Sequence, residues 1–362
     1  MLKSIKDYII NFQGYKTKRK LVAFLVDDYG TIRISSSDAL KELGKLDEKI
    51  TENRFNKYDD IASKEDLEDL FKVLKSVKDK NGNPAVFTPM TVVANPDFKA
   101  IEENGFISYF YENFYQTLDK RKDGEEIKNL WKKGIEEGIF VPEFHGREHL
   151  NVRFWMNFLN KKDENVLTAF KTQSIGINPK HNNGIGYMAA FDLVEENHRQ
   201  ELNEITTDGL NIFEDLFGYR SVLFTPSALI HHDDMHAQLK EDGIKYIDMA
   251  RSRVQPTYNG TKKKKYHYLG QTNKLGQKYI TRNVMFEPNK DDESAVKRAL
   301  NEIETAFKYN KPAIISSHRV NFVDGKSIEN REKGLKDLKH LLDGIITKWP
   351  DVEFVAIRDI FK

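Results

Sequence analysis

Three short stretches of the sequence carry residue types able to hold one metal ion and move protons beside it. They are the pair Asp27-Asp28, the run from His145 through Gly146, Arg147 and Glu148 to His149, and His318. Two histidines four residues apart present both imidazoles to one side when the chain between them is a helix or helical turn. Two imidazoles and one carboxylate make a facial ligand set that leaves positions open for water and substrate, a catalytic arrangement rather than a closed structural one. Such an ion polarises a carbonyl and lowers the pKa of bound water, and a second, free carboxylate can take the proton. Each stretch also has a plainer explanation. The histidine pair suits an exposed helix, and either aspartate suits a turn or a helix cap. Neighbouring residues of a strand point to opposite faces, so the two aspartates can share a site only where the strand has ended, as Tyr29-Gly30 suggests.

Each stretch follows or ends a short apolar run: Leu21–Val26 before the aspartates, Ile139–Phe144 before the histidine pair, Ala313–Ser316 before His318. Ligands and acid–base groups at the ends of strands point to one rim of a parallel sheet or barrel. Further strand-like runs are Ala85–Val93, Ser221–Thr225, Ile244–Asp248, Tyr279–Met285 and Glu353–Ala356. Between them Lys64–Lys78, Asp123–Gly138, Glu196–Phe217, Asp233–Glu241, Asp292–Tyr309 and Ser327–Lys348 carry apolar residues at helical spacing. The alternation predicts an α/β fold: seven or eight strand–helix units forming a (β/α) barrel or a distorted barrel, as a single domain over residues 1–362. The poorly patterned stretch Asn151–Tyr187 is expected to be an insertion over the rim.

Composition narrows the chemistry. There is no cysteine, so disulfides, thiolate ligands and a cysteine nucleophile are excluded, and a zinc site must use His, Asp or Glu. A net charge of +1 supplies no global field for nucleic acid. No run reaches the length of a membrane span, and Met1–Lys20 lacks the apolar core of a signal peptide, so a cytoplasmic location is expected. Residues 251–286 hold nine bases and no acid, with Asn259-Gly260 as a hairpin signal, and are expected to form a basic flap. Its plain reading is a solvated loop; the sharper one is a patch for an anionic or lipid-phosphate-linked glycan. The cluster His231-His232-Asp233-Asp234-Met235-His236 reads first as a helix start.

The order and spacing of these residues resemble the polysaccharide deacetylases of the NodB-homology type, metal-dependent carbohydrate esterases of a glycoside hydrolase/deacetylase superfamily. The resemblance runs from about Leu21 to Lys362 and implies a distorted, seven-stranded (β/α) barrel. It implies Asp27 as general base, Asp28, His145 and His149 as metal ligands, and His318 as general acid. It also implies one divalent ion, zinc first and cobalt, nickel, iron or manganese as alternatives, and hydrolysis of N-acetyl groups on a sugar or polysaccharide. The departures are local. Val26 stands where the family has Phe, Gly146 where it has Ser or Thr, and Phe224-Thr225-Pro226 lacks the family's arginine before proline. Arg147, Arg220, Arg251 or Arg319 could supply that arginine, and Asp248 is the nearest match to the acid that tunes the last histidine. Tyr29, Pro226, Arg147, Arg319 and Asp248 complete the expected substrate-side residues. Two other readings stand beside this one: a glycan-binding relative without catalysis, and a glycosidase using Glu143 and Glu148 as paired acids.

Overall fold

The computed structural model describes residues 12–180, 186–290 and 294–362. Its thirteen strands are β1 (Lys20–Tyr29), β2 (Phe87–Val92), β3 (Ala94–Pro96), β4 (Tyr111–Asn113), β5 (Glu143–Gly146), β6 (Leu223–Phe224), β7 (Tyr246–Asp248), β8 (Ser252–Pro256), β9 (Lys262–Tyr266), β10 (Lys278–Ile280), β11 (Val284–Met285), β12 (Ala313–His318) and β13 (Val352–Phe354).

β1 shows why a barrel wall forms. Leu21, Ala23 and Leu25 pack with Met90, Leu223, Ile280 and Ile314 on one face. Val22, Phe24 and Val26 pack with Phe87, Phe140 and Leu338 on the other. A strand buried on both faces reads as an unbroken apolar run, and each side chain so buried contributes about 1.5–3 kcal/mol against the entropy of ordering it.

The main sheet runs β10-β7-β6-β5-β2-β1-β12-β11, with β13 paired to the start of β1. The pairings on this path are parallel. Its two end strands, β10 and β11, are separated only by residues 281–283, so the chain itself joins the ends of the sheet. The single strand expected over Tyr279–Met285 is therefore two pieces, one pairing with β7 and the other with β12. Counting that broken segment once, the ring has seven positions, which makes the fold a distorted (β/α) barrel.

The long helices sit where the periodicity places them. The helix Glu196–Phe217 ends at Gly218, whose φ of +76° is the left-handed cap that glycine adopts without penalty. The helix Lys64–Lys75 opens with a reciprocal Ser63/Asp66 capping box. Of the helix expected over Asp292–Tyr309, Ser294–Lys308 is helical, and residues 292 and 293 lie outside the described residues. The stretch Asn151–Tyr187 holds two short helices, Val152–Asn160 and Glu164–Lys171, which share a separate apolar cluster with Leu43 and Ile101.

The basic stretch 251–286 is not one flap. Only the antiparallel pair β8–β9 forms a hairpin, turning at Gly260 (φ +75°), while residues 278–285 belong to the barrel wall.

Gly30 fixes the chain just after the two aspartates. Its φ is +85°, and a Cβ there would lie 2.0 Å from the Val92 carbonyl oxygen. Gly30→Ala is expected to cost at least about 1–3 kcal/mol, read as a lower denaturant midpoint at unchanged slope. An unchanged midpoint would show that the turn relaxes without strain.

Candidate metal and catalytic site

The aspartate pair reaches one rim because β1 is irregular there. Alternation carries Asp27 to the same face as Leu25. Asp28 has a φ of +73°, and the register with β2 shifts between Val26 and Tyr29. The extra residue of this bulge turns Asp28 toward the rim that Asp27 also faces.

Asp28 Oδ1 lies 3.4 Å from His145 Nε2 and 3.1 Å from His149 Nε2. Its Oδ2 lies 3.3 Å from the Arg33 guanidinium. His145 is the penultimate residue of β5 and contacts the Thr225 carbonyl oxygen through Nδ1 at 2.8 Å. With Nδ1–H donating there, Nε2 carries the lone pair and faces Asp28 and His149. His145 Nε2 is buried with no hydrogen-bond partner, as is His149 Nδ1.

The expected helix between these histidines is absent: β5 ends at Gly146, whose φ is +127°, and residues 147–150 are irregular. The rings meet, with centroids 5.3 Å apart, because a strand end and a glycine turn fold back on themselves. At Gly146 a Cβ would come within 3.1 Å of the Glu148 carbonyl oxygen and 3.3 Å of the Phe191 ring, so this turn suits a bare glycine.

The residues fit a divalent ion. One ligand atom from each of Asp28, His145 and His149 lies within 4.8 Å of the other two, and all three residues are buried. Burial opposes charge on Asp28, but Arg33, His149 and His145 hold its carboxyl well below the usual range. Burial pushes His149 down, toward neutral imidazole. An ionised carboxylate and neutral imidazoles are the states that bind metal.

Asp27 is held differently. Arg282 donates two hydrogen bonds to its carboxylate, each 2.7 Å. The same guanidinium donates to Asp248 at 2.8 Å and 2.6 Å, and to the Ser316 hydroxyl at 3.1 Å. Asp248 is fully buried and also accepts from Thr225 at 3.2 Å. Burial opposes the charge on Arg282, but Asp248 and Asp27 more than offset it. The arginine that fixes Asp27 is thus Arg282, in the break between β10 and β11.

The expected substitutes lie elsewhere. Arg147 is paired with Glu148 and Asp208 and lies over Tyr111. Arg319 is wholly buried against Asp59. Arg220 binds the Asp242 carbonyl and Asn211. Arg251 lines the cavity, but Asp27 takes its two bonds from Arg282. Asp248 does not touch the last histidine; it shares Arg282 with Asp27.

His318 ends β12 directly opposite Asp27 in the strand register. Its Nδ1 meets Glu287 at 2.6 Å, and its Nε2 lies 3.8 Å from Asp27 Oδ2. Burial works against a charged ring, yet the bond and charge of Glu287 raise the His318 pKa. Glu287 is anchored by Arg54 at 2.6 Å and Asn321 at 2.8 Å.

The structure is similar to a polysaccharide deacetylase. The comparison is with a protein assigned that activity in Pseudomonas aeruginosa, at a TM-score of 0.45 and 11% identity over 95% of this chain and 90% of that one. A 4-alpha-glucanotransferase from Thermococcus litoralis gives 0.46 and 10% identity over 94% of this chain and 40% of that one. A CE4-family pseudoenzyme from Bacillus anthracis gives 0.38 and 10% over 95% and 66%. The chain therefore spans less than two thirds of the length of the last two. No family model and no curated protein matches the sequence. At these scores the likenesses carry no argument; the sheet topology and the side chains do.

A cavity of about 790 Å³ opens over the rim and is lined by Asp27, Asp28, His145, His149, Arg282 and His318. Pro226 also lines it. Tyr29 does not: its ring is buried in the outer core against Trp131 and Phe140. Glu143 and Glu148 are fully engaged elsewhere, Glu143 by Arg358 and Ser221, Glu148 by Arg147, and neither lines the cavity. Among its other charged lining residues, Arg251 and Lys262 are balanced by Asp192 and Glu302, with Lys262 3.4 Å from Asp192. The expected anionic or lipid-phosphate partner gains no support from that balance.

His231, Asp233 and His236 also lie within ligand distance of one another. A cation already stands among them. Buried Arg253 donates to Asp233 and to the His231 carbonyl, and Lys265 reaches the same aspartate. His232 accepts from the Asp234 amide at 3.1 Å, the helix-start role expected for this run.

Proposed function

We propose that this chain is a metal-dependent hydrolase that cleaves the amide of an N-acylated amino sugar, acetyl being the simplest acyl group. The observation that carries the reading is the convergence of three differently tuned groups on one cavity. These are the buried Asp28–His145–His149 set, Asp27 clamped by Arg282, and His318 bonded through Nδ1 to Glu287.

An ion bound by Asp28, His145 and His149, with zinc the best match to nitrogen and oxygen ligands without sulfur, would polarise the amide carbonyl and lower the pKa of water. Asp27 accepts the proton of the attacking water. Arg282 fixes both carboxylate oxygens, so the base meets the water in one orientation. His318 donates to the leaving nitrogen, and Glu287 keeps that ring protonated and pointed through its Nδ1. The water oxygen ends on the acyl carbon as a carboxylate, and the two water protons leave on the amine. The paired-acid glycosidase loses ground because neither Glu143 nor Glu148 faces the cavity.

Acetate release from N-acetylated oligosaccharides by zinc-loaded protein tests this reading. Release that depends on zinc supports it; none from a panel of N-acetyl sugars with zinc bound overturns it.

The pH profile carries a further expectation. Activity needs protonated His318 and falls as pH rises through its pKa, which Glu287 raises. Glu287→Gln removes that charge, so the alkaline limb of the kcat profile should move to lower pH. A limb that stays in place would remove His318 as the acid.

A further inference from the structure

Much of the cavity lining is aliphatic, and part of it lies after β6 and β7, the strands farthest around the ring from β1. Met188, Leu229, Ile230, Met249, Val284 and Met285 line it. Among the described lining residues Phe55 is the one Phe, Tyr or Trp. Its ring is already engaged, with the Arg33 and Arg54 guanidinium groups over it at 4.9 Å and 4.2 Å and His318 edge-on at 5.0 Å. The cavity thus offers no free aromatic face on which to stack a sugar, but a long surface for a flexible aliphatic group. The three methionines among these residues are adaptable apolar contacts.

Backbone strain marks the same wall. Ala228 and Leu229, in the turn after β6, both have left-handed backbone, at φ +55° and +54°. A bulky leucine there is costly, and such strain persists where a ligand surface needs it. Met285, on β11, is 44% exposed, a large apolar side chain left open beside the site.

We infer that the acyl group removed is an aliphatic chain longer than acetyl, lying against Leu229, Ile230 and Met249. This rests on the amide-hydrolase reading above. The leaving nitrogen must face His318 on β12, so the substituent on the acyl carbon faces away from it, toward the segments after β6 and β7. Water adds to the carbonyl carbon, the C–N bond breaks, and a medium-chain carboxylate and a free amine result.

The test is a series of N-acyl glucosamines, from acetyl through butanoyl and hexanoyl to octanoyl, given to zinc-loaded protein. Each methylene buried adds roughly fourfold in binding, so kcat/KM should rise at least about tenfold from acetyl to hexanoyl. Leu229→Asn suits the left-handed backbone and removes the apolar contact, and Met249→Gln is its near-isosteric counterpart. Both should lower the hexanoyl-to-acetyl ratio about tenfold. Acetyl preferred over, or equal to, the longer chains would overturn the inference and leave the amide-hydrolase reading standing. If no amide is hydrolysed with zinc bound, that reading fails. Calorimetric titration of octanoate against acetate then decides the apolar wall alone: tighter octanoate by tenfold supports it, and equal affinities overturn it.

Discussion

Arg282→Met is expected to lower kcat by about a hundredfold or more and stability by about 3–5 kcal/mol. The reason is that one buried guanidinium serves two carboxylates. Removing it leaves Asp27 without its two 2.7 Å bonds and Asp248, fully buried, without its partner. An uncompensated buried charge is more costly than the pair was worth. Burial then pushes Asp248 toward the protonated state, and Asp27 loses the two bonds that aim it as a base. Arg282→Lys separates the two effects. It restores a charge, so stability should recover in part. A single ammonium cannot hold both oxygens of Asp27 while also holding Asp248, so kcat should stay low. Urea denaturation and single-turnover acyl release read these independently; full activity in Arg282→Lys would mean that charge alone matters.

His149→Ala should reduce turnover by at least about a thousandfold, since the ion's charge is worth several kcal/mol in the transition state. Metal binding should be lost with it. His318→Gln is the complementary case. It should slow turnover by about 10²–10⁴-fold while metal content is kept, because His318 bonds Glu287 and faces Asp27 rather than joining the ligand set. Equal loss of metal in both variants would contradict this division of labour.

The difference between what the sequence disclosed and what it hid is physical. Asp27, Asp28, His145 and His318 were legible because each ends an apolar run buried on both sides, and strand ends gather on one rim. Arg282 obeys the same rule, two residues after Ile280, but it sits among many lysines and its charge reads with theirs as part of a basic surface stretch. Its meaning comes from Asp27, 255 positions away in the chain, and no local pattern encodes that pairing. Glu287, the partner of His318, is hidden for the same reason, 31 positions distant. The spacing of His145 and His149 suited a helix, yet Gly146 makes a turn that brings the rings together without one. Short helices such as Ser37–Gly44 and Phe98–Glu103 escaped notice because 8 and 6 residues hold too few turns to show a period.

The most direct measurement is the metal content of the purified chain beside an Asp28→Ala, His145→Ala, His149→Ala variant, each after incubation with zinc and removal of excess. The site described here predicts about one tightly held ion per chain in the parent and none in the variant, with the variant still folded by circular dichroism. An ion retained equally by both, or by neither, would contradict the assignment of Asp28, His145 and His149 as the metal site.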